Sequence, residues 1–213
     1  ELNVKLVVTH GGTENSGDGA THQSIEDIAI MRTIPNVKVI VPSDYFSTYK
    51  AVLAIADIQG PVYLRLGRSE SQTIYNENFN FKVGKSVELF SGEDVTIIAI
   101  GSMVEKAVFA REILESQGIH ARIIDLLTIK PLDEEAILRA AIETRGIVTV
   151  EDHNVYGGMG SVIAEFLAEK YPTRVLRVGI NDHFGCSGDL EELRENFGLS
   201  VSNIVGKVKE LLK

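Results

Sequence analysis

The sequence has little cysteine, no long apolar run and a deficit of positive charge. Its single cysteine, Cys186, excludes an intramolecular disulfide and is typical of a reducing compartment, which we expect to be the cytoplasm. No apolar run approaches the ~20 residues that a membrane-spanning helix needs, and we expect no signal peptide. The net charge of −9 argues against a dominant nucleic-acid or anionic-membrane role. Any phosphorylated substrate must therefore be held by locally placed cations.

The rest of the composition is that of a globular protein. Hydrophobic residues make up 44% and charged residues 24% of 213 residues, enough for a substantial core. The chain starts at Glu1 rather than at methionine, and a strand-like run begins almost at once. We interpret the chain as a processed product or an excised fragment, with a mature N-terminus as the alternative.

Strands alternate with helices in two segments, and a polar stretch over residues 69–81 separates them as a linker. Residues 4–8 are typical of a buried strand, and Ser24 and Ser43 are expected to cap the first two helices. Residues 83–90 and 95–100 resemble a hairpin that turns at Ser91-Gly92. The alternation predicts an α/β fold, with parallel or mostly parallel sheets and helices on both faces. The predicted strands are residues 4–8, 37–41, 62–66, 83–90, 95–100, 121–125, 147–151 and 175–178, and the predicted helices are residues 24–32, 43–57, 104–117, 133–144, 160–170, 189–195 and 201–212.

The densest polar cluster follows the first strand and occupies residues 9–23. In open α/β sheets, ligands bind at the carboxyl ends of strands, which is where this loop lies. Its glycines allow close approach of the backbone to a ligand, and His10, Asp18 and His22 can exchange protons or accept hydrogen bonds. The loop is therefore a candidate ligand site, and a solvated polar loop is the alternative of about equal weight.

The same loop carries a resemblance to transketolases, with His10 followed by the run Asp18-Gly19-Ala20-Thr21-His22-Gln23. Further similar runs follow in order along nearly the whole chain. They are Met31-Arg32-Thr33-Ile34-Pro35-Asn36, Val41-Pro42-Ser43-Asp44, Gly60-Pro61-Val62-Tyr63-Leu64-Arg65-Leu66-Gly67-Arg68, Thr128-Ile129-Lys130-Pro131-Leu132-Asp133, Thr149-Val150-Glu151-Asp152-His153 and Asp182-His183-Phe184-Gly185. An ordered set of this kind is far more specific than a single short motif.

The resemblance implies a role for four residues. His22 matches the histidine that faces the cofactor thiamine diphosphate and the donor sugar, where it relays protons. Asp18 matches the carboxylate that accepts a hydrogen bond from a substrate hydroxyl, and loss of that contact leaves a buried acceptor unpaired. His10 and Arg68 match the groups that bind the sugar phosphate, for which the planar guanidinium is well suited. Arg65 is interpreted as a structural salt-bridge residue.

Two glycine-containing motifs are rejected as cofactor or metal sites. Gly17-Asp18-Gly19 resembles the magnesium-diphosphate motif of thiamine enzymes, but no asparagine follows between Asn36 and Asn76 to act as the second ligand. The run Gly157-Gly158-Met159-Gly160-Ser161 opens a predicted helix, yet its spacing does not fit a dinucleotide motif. We interpret these glycines as a means of close helix–strand packing.

The remaining histidines and the cysteine are assigned structural or surface positions. His153 and His183 lie near predicted strand ends, where polar residues that satisfy loop backbones are the favoured interpretation. His120 is expected to be exposed, and nothing near Cys186 marks it as a nucleophile.

The resemblance also implies a domain plan and an incomplete site. Residues 1–68 match the C-terminal half of a pyrimidine-binding domain, 69–81 form a linker, and 82–213 match a Rossmann-like C-terminal domain. Thiamine diphosphate and magnesium would be held mainly by parts outside this chain, including the activating glutamate, for which Glu14 is no substitute. We expect the chain alone to be inactive, and we expect a homodimer, a separate N-terminal chain, or both.

The implied reaction moves a two-carbon ketol unit between sugar phosphates, as in the pentose phosphate pathway. A deoxyxylulose-phosphate synthase is the nearest alternative, since it shares the Gly-Ala-Thr-His-Gln run and transketolases often have proline where this chain has Ala20. His10 and the run Leu66-Gly67-Arg68 favour transketolase. A third interpretation is a non-catalytic assembly or dimerisation module.

Overall fold

The structure, a computed structural model, describes residues 2–213 and contains two mostly parallel sheets with helices on their faces. The strands are β1 (Lys5–Val8), β2 (Lys38–Ile40), β3 (Val62–Arg65), β4 (Val87–Phe90), β5 (Val95–Ala99), β6 (Ala121–Asp125), β7 (Thr128–Lys130), β8 (Ile147–Asn154) and β9 (Val175–Ile180). The helices are α1 (Asp27–Thr33), α2 (Tyr45–Asp57), α3 (Met103–Glu115), α4 (Glu134–Glu143), α5 (Met159–Lys170), α6 (Leu190–Asn196) and α7 (Val201–Leu212), with a short 3-10 turn at Ala20–His22. The predicted fold class is confirmed.

The first sheet has the order β1-β3-β2-β7. The first three strands run parallel, whereas β7 comes from the second segment and pairs antiparallel with β2. Sequence patterning did not predict β7, because three residues are too few to show a period. Ile28 of α1 packs with Tyr63, whereas Ile55 of α2 packs with Leu64, so the two helices cover opposite faces.

The second sheet has the order β4-β6-β5-β8-β9, with β4 antiparallel to β6 and the other pairs parallel. The predicted hairpin of residues 83–90 and 95–100 is wrong, because β6 lies between β4 and β5. The turn at Gly92 crosses the start of β6 so closely that a Cβ there would lie 2.4 Å from the backbone of Ala121. Helices α3 and α7 pack on one face, and α4 and α5 on the other.

Both predicted serine caps are wrong. Helix α1 begins at Asp27, so Ser24 lies outside it, and the side chain of its N-cap residue Glu26 makes no capping hydrogen bond. Helix α2 is capped by Asp44 in a reciprocal capping box with Ser47. Ser43 instead donates a hydrogen bond from its hydroxyl to the buried carboxyl group of Asp125.

Strand β1 is not the buried strand that its apolar residues predict. Leu6 and Val7, on opposite faces of the strand, are 48% and 49% exposed. Among the described strands, β1 forms an edge of its sheet and pairs only with β3. Helix α2 also has an exposed apolar face that includes Tyr49, Val52 and Leu53, whereas Ala51 faces the core. Apolar spacing located these elements but did not show which side faces solvent.

The two segments share one apolar core. Ile28 and Tyr63 of the first segment belong to the same buried cluster as Ile98 and Met159 of the second. The connecting residues 69–81 contain no helix or strand, yet the backbone N–H groups of Ile74 and Tyr75 donate to Asp44. This packing fixes the orientation of loop 9–23 relative to the second sheet. Within residues 2–213, no helix is both long and apolar enough to cross a bilayer.

Candidate functional site

Loop 9–23 connects β1 to α1 and is closed at its base by backbone hydrogen bonds. Gly11 N–H donates to Leu66 O over 3.1 Å, and Gly12 N–H donates to Ser24 O over 2.7 Å. Residues 11–15 are buried, whereas Gly17 and Asp18 are exposed. The loop therefore has a fixed base and an exposed tip, and the candidate residues lie on its exposed parts.

The structure brings Asp18 and Arg68 together. Arg68 Nη1 lies 3.6 Å from Asp18 Oδ2 and donates to Asn15 Oδ1 over 2.6 Å. Both charged side chains remain about half exposed, at 55% for Asp18 and 49% for Arg68. In such a pair the part-exposed guanidinium can bind a phosphate, and the carboxylate can accept a hydrogen bond from a nearby hydroxyl.

Glu14 positions Arg68, and the sequence analysis missed this role. The buried carboxylate of Glu14 accepts hydrogen bonds from the backbone N–H groups of Arg68 and Ser69. Gly67 passes so close that a Cβ there would lie 2.6 Å from Glu14 Oε2. A glycine directly before a candidate arginine was the available signal, since it indicates close contact of the backbone with another group.

The two candidate histidines lie on the exposed surface of the same loop. His10 has a positive φ of 66°, and its Nδ1 lies 2.7 Å from Thr9 Oγ1. His22 ends the 3-10 turn, and its Nδ1 lies 3.0 Å from Thr21 Oγ1. In the part of the chain that the structure describes, no hydrogen bond or ion pair joins either histidine to Asp18 or Arg68.

Arg65 forms the centre of a buried polar network beneath the loop. Its Nε donates to Asp27 Oδ2 over 2.8 Å, and its Nη2 donates to Ser24 O and Asp152 O, both over 3.0 Å. Tyr63 donates its hydroxyl to the same Asp27 oxygen. Burial alone would raise the pKa of Asp27, but Arg65 and the Tyr63 hydroxyl outweigh it and hold that pKa below its usual value. The interpretation of Arg65 as a salt-bridge residue agrees with these contacts.

His153 belongs to this buried network rather than to a loop. It is fully buried in β8, and its Nδ1 lies 2.7 Å from Asn154 O. Burial and the nearby Arg65 charge lower its pKa to about 4, so the imidazole is neutral at physiological pH. His183, Cys186 and His120 are exposed.

The space beside the glycine run at the start of α5 is occupied by a side chain of the protein itself, Glu151. Glu151 accepts hydrogen bonds from the backbone N–H groups of Met159 and Gly160, at 2.6 and 2.8 Å. A Cβ at Gly158 would lie 2.2 Å from Glu151 Oε2. An internal carboxylate thus occupies the helix N-terminus where a bound phosphate would otherwise sit, which agrees with close packing.

The exposed candidate side chains of the loop are polar and titratable. The exposed imidazole of His22 and the Asp18–Arg68 pair suit a polar, phosphorylated substrate. Among residues 2–213, no cluster of three histidine, cysteine, aspartate or glutamate side chains is arranged to bind a metal ion.

Comparisons with known proteins agree along both segments. The model of the family "Transketolase, pyrimidine binding domain" matches residues 1–73, and that of "Transketolase, C-terminal domain" matches residues 84–204. A transketolase C-terminal section from Methanocaldococcus jannaschii is 46% identical, over 100% of this chain and 67% of its own length. A 6-deoxy-6-sulfo-D-fructose transketolase subunit from a Clostridium species is 44% identical, over 99% of this chain and 65% of its own length.

A solved structure described as a split gene transketolase, in an inactive beta4 tetramer, has the same fold. It superimposes with a TM-score of 0.91 at 42% identity, covering 100% of this chain and 67% of that one. The chain thus spans about two thirds of the length of these relatives.

Proposed function

The chain belongs to the transketolase family, and from that premise we propose that it supplies the sugar-binding side of a ketol-transferase site. The reaction would move a two-carbon ketol unit between sugar phosphates. The observation that carries the proposal is the pairing of Asp18 with Arg68 at the tip of a loop whose base is rigidly held. We propose the division into residues 1–68, 69–81 and 82–213 for the same protein.

In this proposal each exposed side chain has one task. Arg68 binds the substrate phosphate through two parallel hydrogen bonds, and His10 adds a further contact to it. Asp18 accepts a hydrogen bond from a substrate hydroxyl, so it selects sugars of the right configuration. His22 exchanges a proton with the reacting oxygen, because imidazole changes charge near neutral pH.

In this proposal, His22 is the residue of this chain that faces thiamine diphosphate. When bound, the cofactor supplies the carbanion chemistry that side chains lack. Residues from outside the described chain would hold its diphosphate with magnesium. The described residues bind and orient the sugar, and they move a proton at His22.

The partner follows from the same division. We propose that a separate N-terminal transketolase chain completes the site in an oligomer, and that the chain by itself has no ketol-transfer activity. The similar solved structure, an inactive beta4 tetramer of a split gene transketolase, supports this arrangement. The cytoplasmic location stays a prediction from the cysteine content.

Three variants of the complete, reconstituted enzyme test the residue roles. Arg68→Met removes a charge-assisted contact, so we expect KM for the sugar phosphate to rise by about tenfold or more. Asp18→Asn should weaken selection between sugars that differ at the contacted hydroxyl. His22→Ala should lower kcat by roughly 10² or more, as expected for loss of a proton-transfer group.

His120→Ala provides a matched histidine control, because His120 is exposed and contacts only the second segment. Equal kinetics for the His22→Ala and His120→Ala enzymes would contradict the assignment of His22. The reaction class is tested separately, with xylulose and ribose phosphates against pyruvate plus glyceraldehyde phosphate. Turnover of only the second pair would show a deoxyxylulose-phosphate synthase instead.

A further inference from the structure

The second sheet uses its ligand-binding crevice to hold loop 9–23. In the order β4-β6-β5-β8-β9, the connection that leaves β5 runs to β6 on one side, whereas the connection that leaves β8 runs to β9 on the other side. The connections therefore diverge between β5 and β8. In open α/β sheets, ligands bind outside the carboxyl ends of strands at such a point. Here Asp152, near the carboxyl end of β8, instead contacts Thr13 of the loop.

Asp152 and Thr13 form a dense buried contact between the two segments. Thr13 N–H donates to both Asp152 carboxylate oxygens over 3.0 Å, and Thr13 Oγ1 donates to Oδ2 over 2.8 Å. Thr13 is fully buried, and Asp152 is 4% exposed. Hydrogen bonds to a carboxylate are among the strongest in proteins, particularly where water is excluded.

The backbone at this contact is shaped for the carboxylate. Gly12 has a φ of +74°, and a Cβ there would lie 2.4 Å from Asp152 Cγ. On the other side, Asp152 O accepts a hydrogen bond from Arg65. The position of Asp152 is thus fixed by its own segment and by β3, so it can hold the loop rather than follow it.

Three further contacts from the second segment follow the loop towards His22. Gly188 N–H donates to Ser16 O over 3.1 Å, and Gln23 Nε2 donates to Cys186 O over 3.0 Å. Arg194 Nη2 lies 3.6 Å from Glu14 Oε1, and Glu14 in turn holds the backbone of Arg68. These contacts flank the exposed tip that carries Asp18.

We propose that Asp152 is a positioning residue, through which the C-terminal domain holds the substrate loop in the geometry that binds the sugar. The catalytic consequence rests on the proposed function, whereas the ordering of the loop does not. Asp152 acts through Thr13 and contacts no substrate. The C-terminal domain therefore contributes to the site by anchoring the loop, although it has no concentrated set of acid, base and nucleophile of its own.

The test compares Asp152→Asn with Asp133→Asn in the complete enzyme. Asp133 is also buried, and like Asp152 it accepts hydrogen bonds from the backbone N–H and the hydroxyl of a single residue, here Ser86, but it lies away from the loop. We expect Asp152→Asn to accelerate amide hydrogen exchange across residues 12–23 by about tenfold or more, the effect of losing a charge-assisted hydrogen bond. Asp133→Asn should leave exchange in those residues unchanged.

Kinetics give the second readout. We expect Asp152→Asn to raise KM for the sugar phosphate by a similar factor, with a smaller change in kcat, since the loop binds substrate. Thr13→Val should reproduce part of the effect and Thr13→Ser should not, because serine keeps the hydroxyl donor. These Thr13 variants also test the contact should Asp152→Asn fail to fold.

The outcomes separate this inference from the proposed function. Loop exchange that is equal in Asp152→Asn and Asp133→Asn overturns the anchoring role. Faster loop exchange with unchanged KM and kcat in an active enzyme overturns the positioning role. Faster loop exchange in Asp152→Asn, when even the wild-type enzyme transfers no ketol group, supports the anchor and rejects the proposed function.

Discussion

Replacing Arg65 by methionine should destabilise the protein more than any exposed ion-pair variant. The guanidinium side chain is 7% exposed, and it donates three hydrogen bonds, to Asp27, Ser24 O and Asp152 O. Methionine keeps the unbranched shape but leaves the Asp27 carboxylate, itself 11% exposed, with the Tyr63 hydroxyl as its one side-chain hydrogen-bond donor among residues 2–213.

Removing one partner of a buried ion pair typically costs about 3–5 kcal/mol, because the remaining charge stays buried without compensation. That cost is a large part of the roughly 5–15 kcal/mol by which domains are stable. Equilibrium urea unfolding at pH 7 measures it as a shift in midpoint, provided that the slope of free energy against urea is unchanged.

Arg139→Met is the matched control. Arg139 lies 3.4 Å from Glu88, but its side chain is 50% exposed, so we expect a loss below about 1 kcal/mol. Adding Asp27→Asn to Arg65→Met should cost less than the sum of the two single changes, since it removes the unpaired charge. The reasoning is refuted if Arg65→Met costs no more than Arg139→Met.

Two further predictions concern stability. Burial raises the pKa of Asp125 from 3.8 to about 7, so the fold favours the protonated acid, and stability from this group is lost as pH rises through that range. This group should lower the free energy of unfolding by about 3 kcal/mol between pH 5 and pH 8. Asp125→Asn should flatten that part of the pH–stability curve. An unchanged slope would contradict the prediction. Gly12→Ala combines positive φ with a clash against Asp152, whereas Gly118→Ala has positive φ alone, with nothing within 4 Å of the added Cβ. Thermal or urea unfolding should show a loss of stability of about 1–2 kcal/mol for Gly118→Ala and a clearly larger loss for Gly12→Ala. Equal losses would contradict the close contact between Gly12 and Asp152.

Local pattern predicted most of the elements but not their neighbours. Strand β6 was predicted at its observed bounds, and helix α7 likewise, because apolar periodicity and flanking turn residues mark both clearly. The hairpin of β4 with β5 failed because strand pairing depends on where the remaining chain passes, and β6 inserts between the two. Ser43 was predicted to cap α2, but the observed cap is Asp44. Both residue types can cap a helix, and the contact of Ser43 with Asp125 decides between them.

The candidate site divides in the same way. Its exposed members, His10, Asp18, His22 and Arg68, were proposed from sequence, because the runs that contain them resemble those of transketolases. Their roles stay predictions until the variants are measured. The groups that hold them, Glu14 and Asp152, were not recognised, since nothing local marks an acid as the partner of a residue more than 50 positions away.

The sequence by itself therefore determined the α/β class, the transketolase resemblance and the loop on which the candidate residues lie. Only the tertiary structure decided that the second sheet holds this loop. A contact such as that of Asp152 with Thr13 joins residues 139 positions apart. It forms because both segments share one core. That core excludes water, which strengthens the hydrogen bonds to the buried carboxylate enough to fix the loop.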